Sequence, residues 1–184
     1  SNDNKSRADH LLVKIDVEKK SIDFTVIEVK CRKYLSVTDA GELKDKMKEQ
    51  MDNTITALQE HFDPENSISE DRLDRTIKNK ELKSLLEFYI YRAVRFEQLS
   101  QNTSDHYLNF IQTLDSGFKM TFRELGIIFD FSASRRHQKE EINEALTYFT
   151  FGSKLISEIL DPESDLNTKR LENIEDDKVI TDYF

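Results

Sequence analysis

Residues 21–36 read SIDFTVIEVKCRKYLS, and this stretch contains the pattern that decides the fold. The run from Ile22 to Val29 is rich in β-branched and aromatic residues, which favours a β-strand. It ends with Glu28 and Lys30 two positions apart, and period-two alternation puts both charged side chains on one face of that strand. Charged groups are costly to bury without partners. The pattern therefore indicates either a salt bridge at a strand end or a metal site.

The composition of the 184-residue chain is typical of a single helix-rich α/β domain. Only 4 Gly and 2 Pro argue against a turn-rich sandwich, and 12 Phe with 6 Tyr supply large side chains for a core. A net charge of −9 excludes an overall basic surface, so any contact with nucleic acid has to be local.

The single cysteine and the hydropathy pattern bear on the compartment. One cysteine, Cys31, excludes an intramolecular disulfide and suits a reducing environment. The sequence shows neither a long apolar segment nor a signal peptide, so we expect a cytoplasmic protein with no membrane association. Since Cys31 follows Lys30, we expect its side chain on the opposite face as a small buried group.

The order of apolar patterns predicts a mixed sheet with helices around it. Two β-rich runs at 9–15 and 22–30, joined by a short polar segment, predict an antiparallel hairpin. Further along the chain, the patterns predict helices over 36–62, 79–100, 104–116 and 139–160, and a strand over 118–131. We expect a three-layer α/β domain spanning 1–184, with a core at 9–131 and a helical extension at 132–184.

The hairpin adds a third residue to the charged pair. Antiparallel pairing brings Asp9, at the start of the first strand, beside Glu28 and Lys30 at the end of the second. Two carboxylates suit a hard divalent cation, which can polarise a phosphodiester oxygen and activate water. A lysine can orient that water and offset the charge of the transition state. The rival acids Asp16 and Asp23 lie near the hairpin turn, and we interpret them as solvated charges.

Asp9 in ADHLLVKI, with Glu28 and Lys30 in VIEVK, resembles the PD-(D/E)xK nuclease superfamily, which has the restriction-endonuclease-like fold. This resemblance implies Asp9 and Glu28 as ligands of Mg²⁺, with Mn²⁺ as an alternative, and Lys30 as a catalytic residue. Gln50, on the following helix, is similar to a helix-borne catalytic glutamine of some branches, although a solvent-exposed polar residue is the alternative interpretation. The family core begins with a helix and a strand for which the residues before Asp9 are too few, so we expect a core without them.

A closer resemblance involves FTVIEVKCR followed by NKELKSLLEFYIYRAVR. These segments are similar to the nuclease-like region of large ATPases from bacterial DNA-phosphorothioation-dependent restriction and related phage-defence systems. The resemblance implies hydrolysis of DNA within such a system, with a larger ATPase chain or another protein as partner. Because enzymes of this kind often pair to cut two strands, a homodimer is a further expectation.

Two basic clusters are candidates for contact with DNA phosphates, although solvated surface charge is the alternative for both. They are Arg75, Lys78, Lys80 and Lys83 in RTIKNKELK, and the adjacent Arg135 and Arg136 after the last predicted strand. Two other functions remain open at this point. One is a catalytically inactive nuclease-fold domain that docks DNA or a protein partner, and the other is a helical adaptor in which Glu28 and Lys30 only pair with each other.

Overall fold

A computed structural model describes residues 6–65 and 74–160. The elements are β1 (His10–Asp16), β2 (Ser21–Arg32), α1 (Val37–Phe62), α2 (Arg75–Arg95), α3 (Gln101–Gln112), a 3-10 turn (Leu114–Ser116), β3 (Lys119–Asp130), β4 (His137–Glu141), β5 (Leu146–Gly152) and α4 (Ser153–Leu160). Within the described ranges, no helix has the length and apolarity needed to cross a membrane. The elements have the α/β class and the mixed sheet that the sequence predicts, and they include the hairpin, the first three helices and the strand at 118–131.

The five strands form one mixed sheet in the order β1-β2-β3-β5-β4. The three inner strands β2, β3 and β5 run parallel, and the outer strands β1 and β4 are antiparallel to their neighbours. The carboxyl ends of β2, β3 and β5 therefore meet at one edge of the sheet, together with the start of β1. We call this edge the carboxyl edge.

The predicted helix over 139–160 is wrong for most of its length. Residues 137–141 and 146–152 are the strands β4 and β5, and only 153–160 are helical. The segment LTYFTFG of β5 is buried on both faces, so its apolar residues show no clear alternation and also fit helical spacing. Residues 132–152 are thus no helical extension, and β4 and β5 belong to the same sheet as β1–β3. Residues 161–184 lie outside the described part of the chain.

The helices α1, α2 and α3 pack against one face of the sheet. In one cluster, side chains of β2 and β3 meet α2 and α3, and its members include Ile22, Phe24, Met120, Leu82, Leu86, Phe110 and Ile111. In the next cluster, Val26 of β2 packs against Met47 and Met51 of α1. Because Glu28 is two residues after Val26, it lies on this same helix-covered face. Ile27 belongs to a separate cluster with Leu125 and Phe149 on the other face.

An ion pair joins α1 to β3 on the helix-covered face. Glu124 is only 6% exposed. Lys48 Nζ lies 3.3 Å from both Glu124 carboxylate oxygens and 2.6 Å from Asp52 Oδ1. Burial raises the pKa of Glu124 even though Lys48 opposes this shift. Burial lowers the pKa of Lys48, but hydrogen bonds and charge from Asp52 and Glu124 outweigh it, so the pKa is raised overall.

Substitution of Lys48 by Met is expected to give a pH-dependent loss of stability. It leaves the Glu124 carboxylate buried without its cation, at a cost of about 1–2 kcal/mol near neutral pH, given that Lys48 is partly exposed. A carboxyl whose pKa is raised by folding favours the folded state at low pH and loses this contribution as the pH rises. The loss in free energy of unfolding, measured with urea, should therefore become smaller toward acid pH. In the double variant Lys48→Met/Glu124→Gln, which has no buried carboxylate at this position, the loss should be absent. A cost independent of pH would contradict this assignment.

Candidate metal and phosphodiester site

The hairpin brings Asp9 and Glu28 together at the carboxyl edge. His10 of β1 is opposite Ile27 of β2, so the next position along the pair places Asp9 beside Glu28. The Asp9 backbone N–H donates to Glu28 Oε2 at 3.1 Å, and the Val29 N–H donates to Asp9 Oδ2 at 3.0 Å. Each carboxylate thus accepts a hydrogen bond from the backbone of the other strand, and the two side chains close the end of the hairpin.

Lys30 completes the group that the sequence predicts. Its Nζ donates to Glu28 Oε1 as a salt bridge, so both oxygens of Glu28 have a donor. The Glu28 side chain is 0% exposed, whereas that of Lys30 is 24% exposed. Asp9 is exposed to solvent. A cation that binds Glu28 would consequently approach from the side of Asp9 and compete with the Lys30 ammonium.

α1 holds the segment that precedes Asp9. The Ala8 N–H donates to Thr54 Oγ1 at 2.9 Å, and Gln50 Nε2 donates to Ser6 Oγ at 2.6 Å and to the Arg7 carbonyl at 3.4 Å. Gln50 therefore contacts the chain leading to Asp9 rather than either carboxylate, which makes it a positioning residue in this structure. Sequence reasoning missed Thr54, because nothing local indicates a contact 46 residues away.

A glycine and a tyrosine line the sheet beside Glu28. Gly126 of β3 is the partner of Glu28, and Tyr148 of β5 is the partner of Gly126. A Cβ atom at Gly126 would lie 2.2 Å from the Tyr148 ring, so the ring fills the space that a side chain would occupy. The Tyr148 hydroxyl donates to the Lys44 carbonyl at 3.0 Å. Burial, together with Glu124 and other nearby carboxylates, raises the pKa of Tyr148 to about 12, so the phenol stays protonated beside the site.

The donor chemistry of Asp9 and Glu28 fits a hard divalent cation. Magnesium is often bound through one or two carboxylates and retains several waters or substrate oxygens. In the described ranges, no group of three or more His, Cys, Asp or Glu residues is placed to hold a metal. Any cation at this site would therefore depend on these two carboxylates together with oxygens of water or substrate.

Most cations of the predicted cluster on α2 have internal partners. Arg75 donates to the Pro64 carbonyl at 3.2 Å, and Lys83 Nζ lies 2.6 Å from Asp115 Oδ2. Lys78 contacts His61 at 2.9 Å and the Glu81 carboxylate at 3.3 Å. Lys80 is exposed. The helix α2 that carries the cluster packs against Ile22 and Phe24 at the start of β2. Glu28 lies further along β2, towards the carboxyl edge.

Arg135 and Arg136 have a different position, in the loop between β3 and β4 at the carboxyl edge. Arg135 donates to the Gln138 side chain, and Arg136 Nη1 lies 3.3 Å from Glu158 Oε2. The basic residues Arg32 and Lys33 leave the same edge from β2. Sequence reasoning did not select these two as nucleic-acid contacts, although they directly follow the VIEVK motif.

The expected burial of Cys31 is wrong, because its side chain is exposed. Cys31 is the penultimate residue of β2, where the strand reaches the carboxyl edge and burial decreases along its last two residues. The rival acids lie away from the site, as expected. Asp16 pairs with Lys19 at 3.2 Å in the hairpin turn. Asp23 is not the solvated charge that the sequence predicts, because it lies within β2, is partly buried and accepts a hydrogen bond from Thr121.

Comparison of the chain with known protein families, with curated proteins and with solved structures found no match.

Proposed function

We propose that this chain is a metal-dependent nuclease-like domain that hydrolyses DNA phosphodiester bonds. The observation that carries the proposal is the interlocked group of Asp9, Glu28 and Lys30 at the carboxyl edge. Two carboxylates and one lysine in contact are the residues that this chemistry requires. The hairpin β1–β2, the helices that follow it and the parallel strand β3 support assignment of the sheet to a restriction-endonuclease-like core.

In this proposal, Asp9 and Glu28 hold Mg²⁺ or Mn²⁺. The bound metal supplies Lewis acidity toward the phosphodiester and lowers the pKa of bound water. Lys30, released from Glu28, orients the attacking water and offsets negative charge that develops on the phosphate. Gln50 is a positioning residue, because its hydrogen bonds to Ser6 and Arg7 fix the segment that leads to Asp9.

The proposal extends to the biological system, the compartment and the partners of this domain. We place the domain in a bacterial restriction or phage-defence system, in the cytoplasm, with a larger ATPase chain or another protein as partner. A homodimer would allow two such sites to cut both strands of a duplex. These assignments rest on the resemblance of the motif and its surroundings to that class of protein.

Plasmid nicking in the presence of Mg²⁺ or Mn²⁺ tests the site. Wild type is expected to nick, and Glu28→Gln is expected to lose nicking together with the heat of Mn²⁺ binding in calorimetry. Asp115→Asn is a matched control, because it removes a carboxylate that pairs with Lys83 far from the site. Nicking that survives in Glu28→Gln would eliminate this site, even if the protein proved to be a nuclease.

A second candidate function is an inactive nuclease-fold domain that docks a protein partner. It is favoured by the outer face of α2 and the residue that follows this helix, where Leu85, Phe88, Tyr89, Tyr91 and Phe96 are between 42% and 59% exposed. Aromatic residues grouped on a surface are typical of protein interfaces. The hydrogen bonds of Glu28 also favour this second function, because both of its oxygens accept from donors inside the protein, with which a metal would have to compete. Wild type that neither nicks plasmid nor binds Mn²⁺ would support this function over hydrolysis.

A further inference from the structure

Two loops leave the carboxyl edge side by side, and hydrogen bonds join them. Residues 33–36 follow β2, residues 131–136 follow β3, and the last residues of these strands, Arg32 and Asp130, are partners in the sheet. We call the two segments the edge loops. The Phe131 N–H donates to the Arg32 carbonyl at 2.9 Å, and the Leu35 N–H donates to Ser132 Oγ at 3.3 Å.

A buried carboxylate anchors this junction. Asp130 is only 4% exposed. Its Oδ1 accepts from the Ser132 N–H at 2.9 Å and from Ser132 Oγ at 2.6 Å. Ser132 in turn accepts from Leu35, so one buried acid orders both edge loops. Preorganised loops lose less entropy on binding a ligand than loops that must be ordered by it.

The end of β5 fixes the rest of the second edge loop. The Gly152 N–H donates to the Arg136 carbonyl at 2.9 Å, and the Ser153 N–H donates to the Ala133 carbonyl at 2.8 Å. The approach is close enough that a Cβ atom at Gly152 would lie 1.9 Å from the Arg135 carbonyl oxygen. The two arginines are therefore carried on a backbone that is held on both sides.

The edge loops concentrate positive charge on an acidic chain. The edge loops contain three basic residues, Lys33, Arg135 and Arg136, and no Asp or Glu, and Arg32 directly precedes the first loop at the end of β2. Among the residues that the structure describes, Arg32, Lys33 and Arg135 make no salt bridge, whereas Arg136 pairs with Glu158. Set against a chain charge of −9, this local surface is suited to a polyanion.

Each edge loop also exposes one aromatic ring to solvent. Tyr34 is 72% exposed and Phe131 is 47% exposed. Grooves that combine basic side chains with exposed aromatic rings are typical of proteins that bind single strands, because unpaired bases stack on the rings while the cations contact phosphates. A regular duplex keeps its bases stacked inside and offers no such contact.

We propose that the edge loops, together with Arg32 at the end of β2, bind single-stranded nucleic acid, or an unpaired stretch within a duplex, with Arg32, Lys33 and Arg135 on phosphates and Tyr34 and Phe131 on bases. The proposal deepens the proposed function and rests on it in one respect, namely that the bound strand leads to the cleavage site. Arg32 lies four residues beyond Glu28 on the same strand and face, about 13 Å away at the rise of a β-strand. A strand held at the edge loops therefore passes close to Lys30.

Fluorescence anisotropy with a labelled oligonucleotide, without divalent metal, tests binding separately from cleavage. Wild type is expected to bind the single strand and to bind the matching duplex more weakly. Arg32→Gln/Lys33→Gln/Arg135→Gln should lower the affinity at least tenfold and reduce the salt dependence by about 2 in the slope of log K against log salt. Lys14→Gln/Lys20→Gln/Lys119→Gln, at the other edge of the sheet, is the charge-matched control and should bind as wild type does.

The aromatic rings give a second readout. Tyr34→Ala/Phe131→Ala should lower affinity for the single strand on the order of tenfold and leave duplex affinity unchanged. Phe88→Ala/Tyr89→Ala, which removes exposed rings from α2, should change neither affinity. The proposal is overturned if the protein binds no oligonucleotide at low salt, if it prefers the duplex, or if control and edge-loop variants lose affinity equally. If the protein binds the single strand but does not nick plasmid, the proposed hydrolysis is contradicted and the edge loops are supported as a binding surface.

Discussion

Lys30→Met is expected to abolish nicking while strengthening the binding of Mn²⁺. Lys30 is the counter-ion of Glu28, and its ammonium contacts the oxygen that a metal would need. Removing the ammonium eliminates this competition, because Mn²⁺ no longer has to break a charged hydrogen bond to reach Glu28. The affinity for Mn²⁺ should therefore rise by about tenfold or more. Nicking should fall by about a thousandfold, because a lysine that supports the transition state through charge is lost.

The same substitution should make the metal-free protein less stable. Glu28 is 0% exposed, and without Lys30 the one hydrogen bond that its carboxylate retains from residues 6–65 and 74–160 comes from the Asp9 N–H. Breaking a buried ion pair by removing one partner costs about 3 kcal/mol. Saturating Mn²⁺ should restore much of this loss, since binding to the folded state alone stabilises it. Thermal unfolding with and without Mn²⁺ measures both effects.

Lys83→Met is the matched control for this experiment. Lys83 also pairs with a carboxylate, Asp115, but that partner is 53% exposed and can be hydrated when the lysine is lost. We therefore expect a small loss of stability, normal nicking and no added response to Mn²⁺. If Lys30→Met binds Mn²⁺ no better than wild type does, Glu28 is not a metal ligand. The pair would then be a structural salt bridge at the end of β2.

Local pattern was sufficient to predict the hairpin and the convergence of Asp9 with Glu28. Both follow from alternation and antiparallel pairing within 20 residues of sequence. The full burial of Glu28 did not follow from this pattern. Nor did the contact of Ala8 with Thr54 of α1, which lies 46 residues further along the chain. Contacts of this kind depend on how the helix packs and leave no periodic signal.

The misassigned segment shows the same limit at the level of fold. In β5, Leu146, Tyr148 and Phe149 are all buried, so the strand shows apolar residues at spacings that a helix also allows. Its Thr and aromatic content was the available sign of a strand. The contact between the edge loops could not be predicted from the sequence either, since Leu35 and Ser132 are 97 residues apart in the chain. Arg32 and Lys33 could be read directly from KCRK, but only the sheet brings them beside Arg135.

Gly152→Ala is expected to destabilise the protein more than any other small substitution at the carboxyl edge. The added Cβ atom would lie 1.9 Å from the Arg135 carbonyl oxygen and 2.7 Å from that of Ala133. Both obstacles are backbone atoms, so rotation of a side chain cannot relieve the overlap. The loop must move away, which breaks the bonds from the Gly152 and Ser153 N–H groups. Overpacking and the lost hydrogen bonds together cost about 3–4 kcal/mol.

The consequence should extend to binding, because the displaced segment carries Arg135. At a temperature where Gly152→Ala is still folded, its affinity for a single strand should fall about as far as in a variant that lacks Arg135. Gly41→Ala is the control, since nothing lies within 4 Å of a Cβ atom there and the residue is in α1. Alanine favours helix, so this control should unfold at the same or a slightly higher temperature. A cost below about 1 kcal/mol for Gly152→Ala would mean that the second edge loop does not lie against β5, and the fixed placement of Arg135 would fail with it.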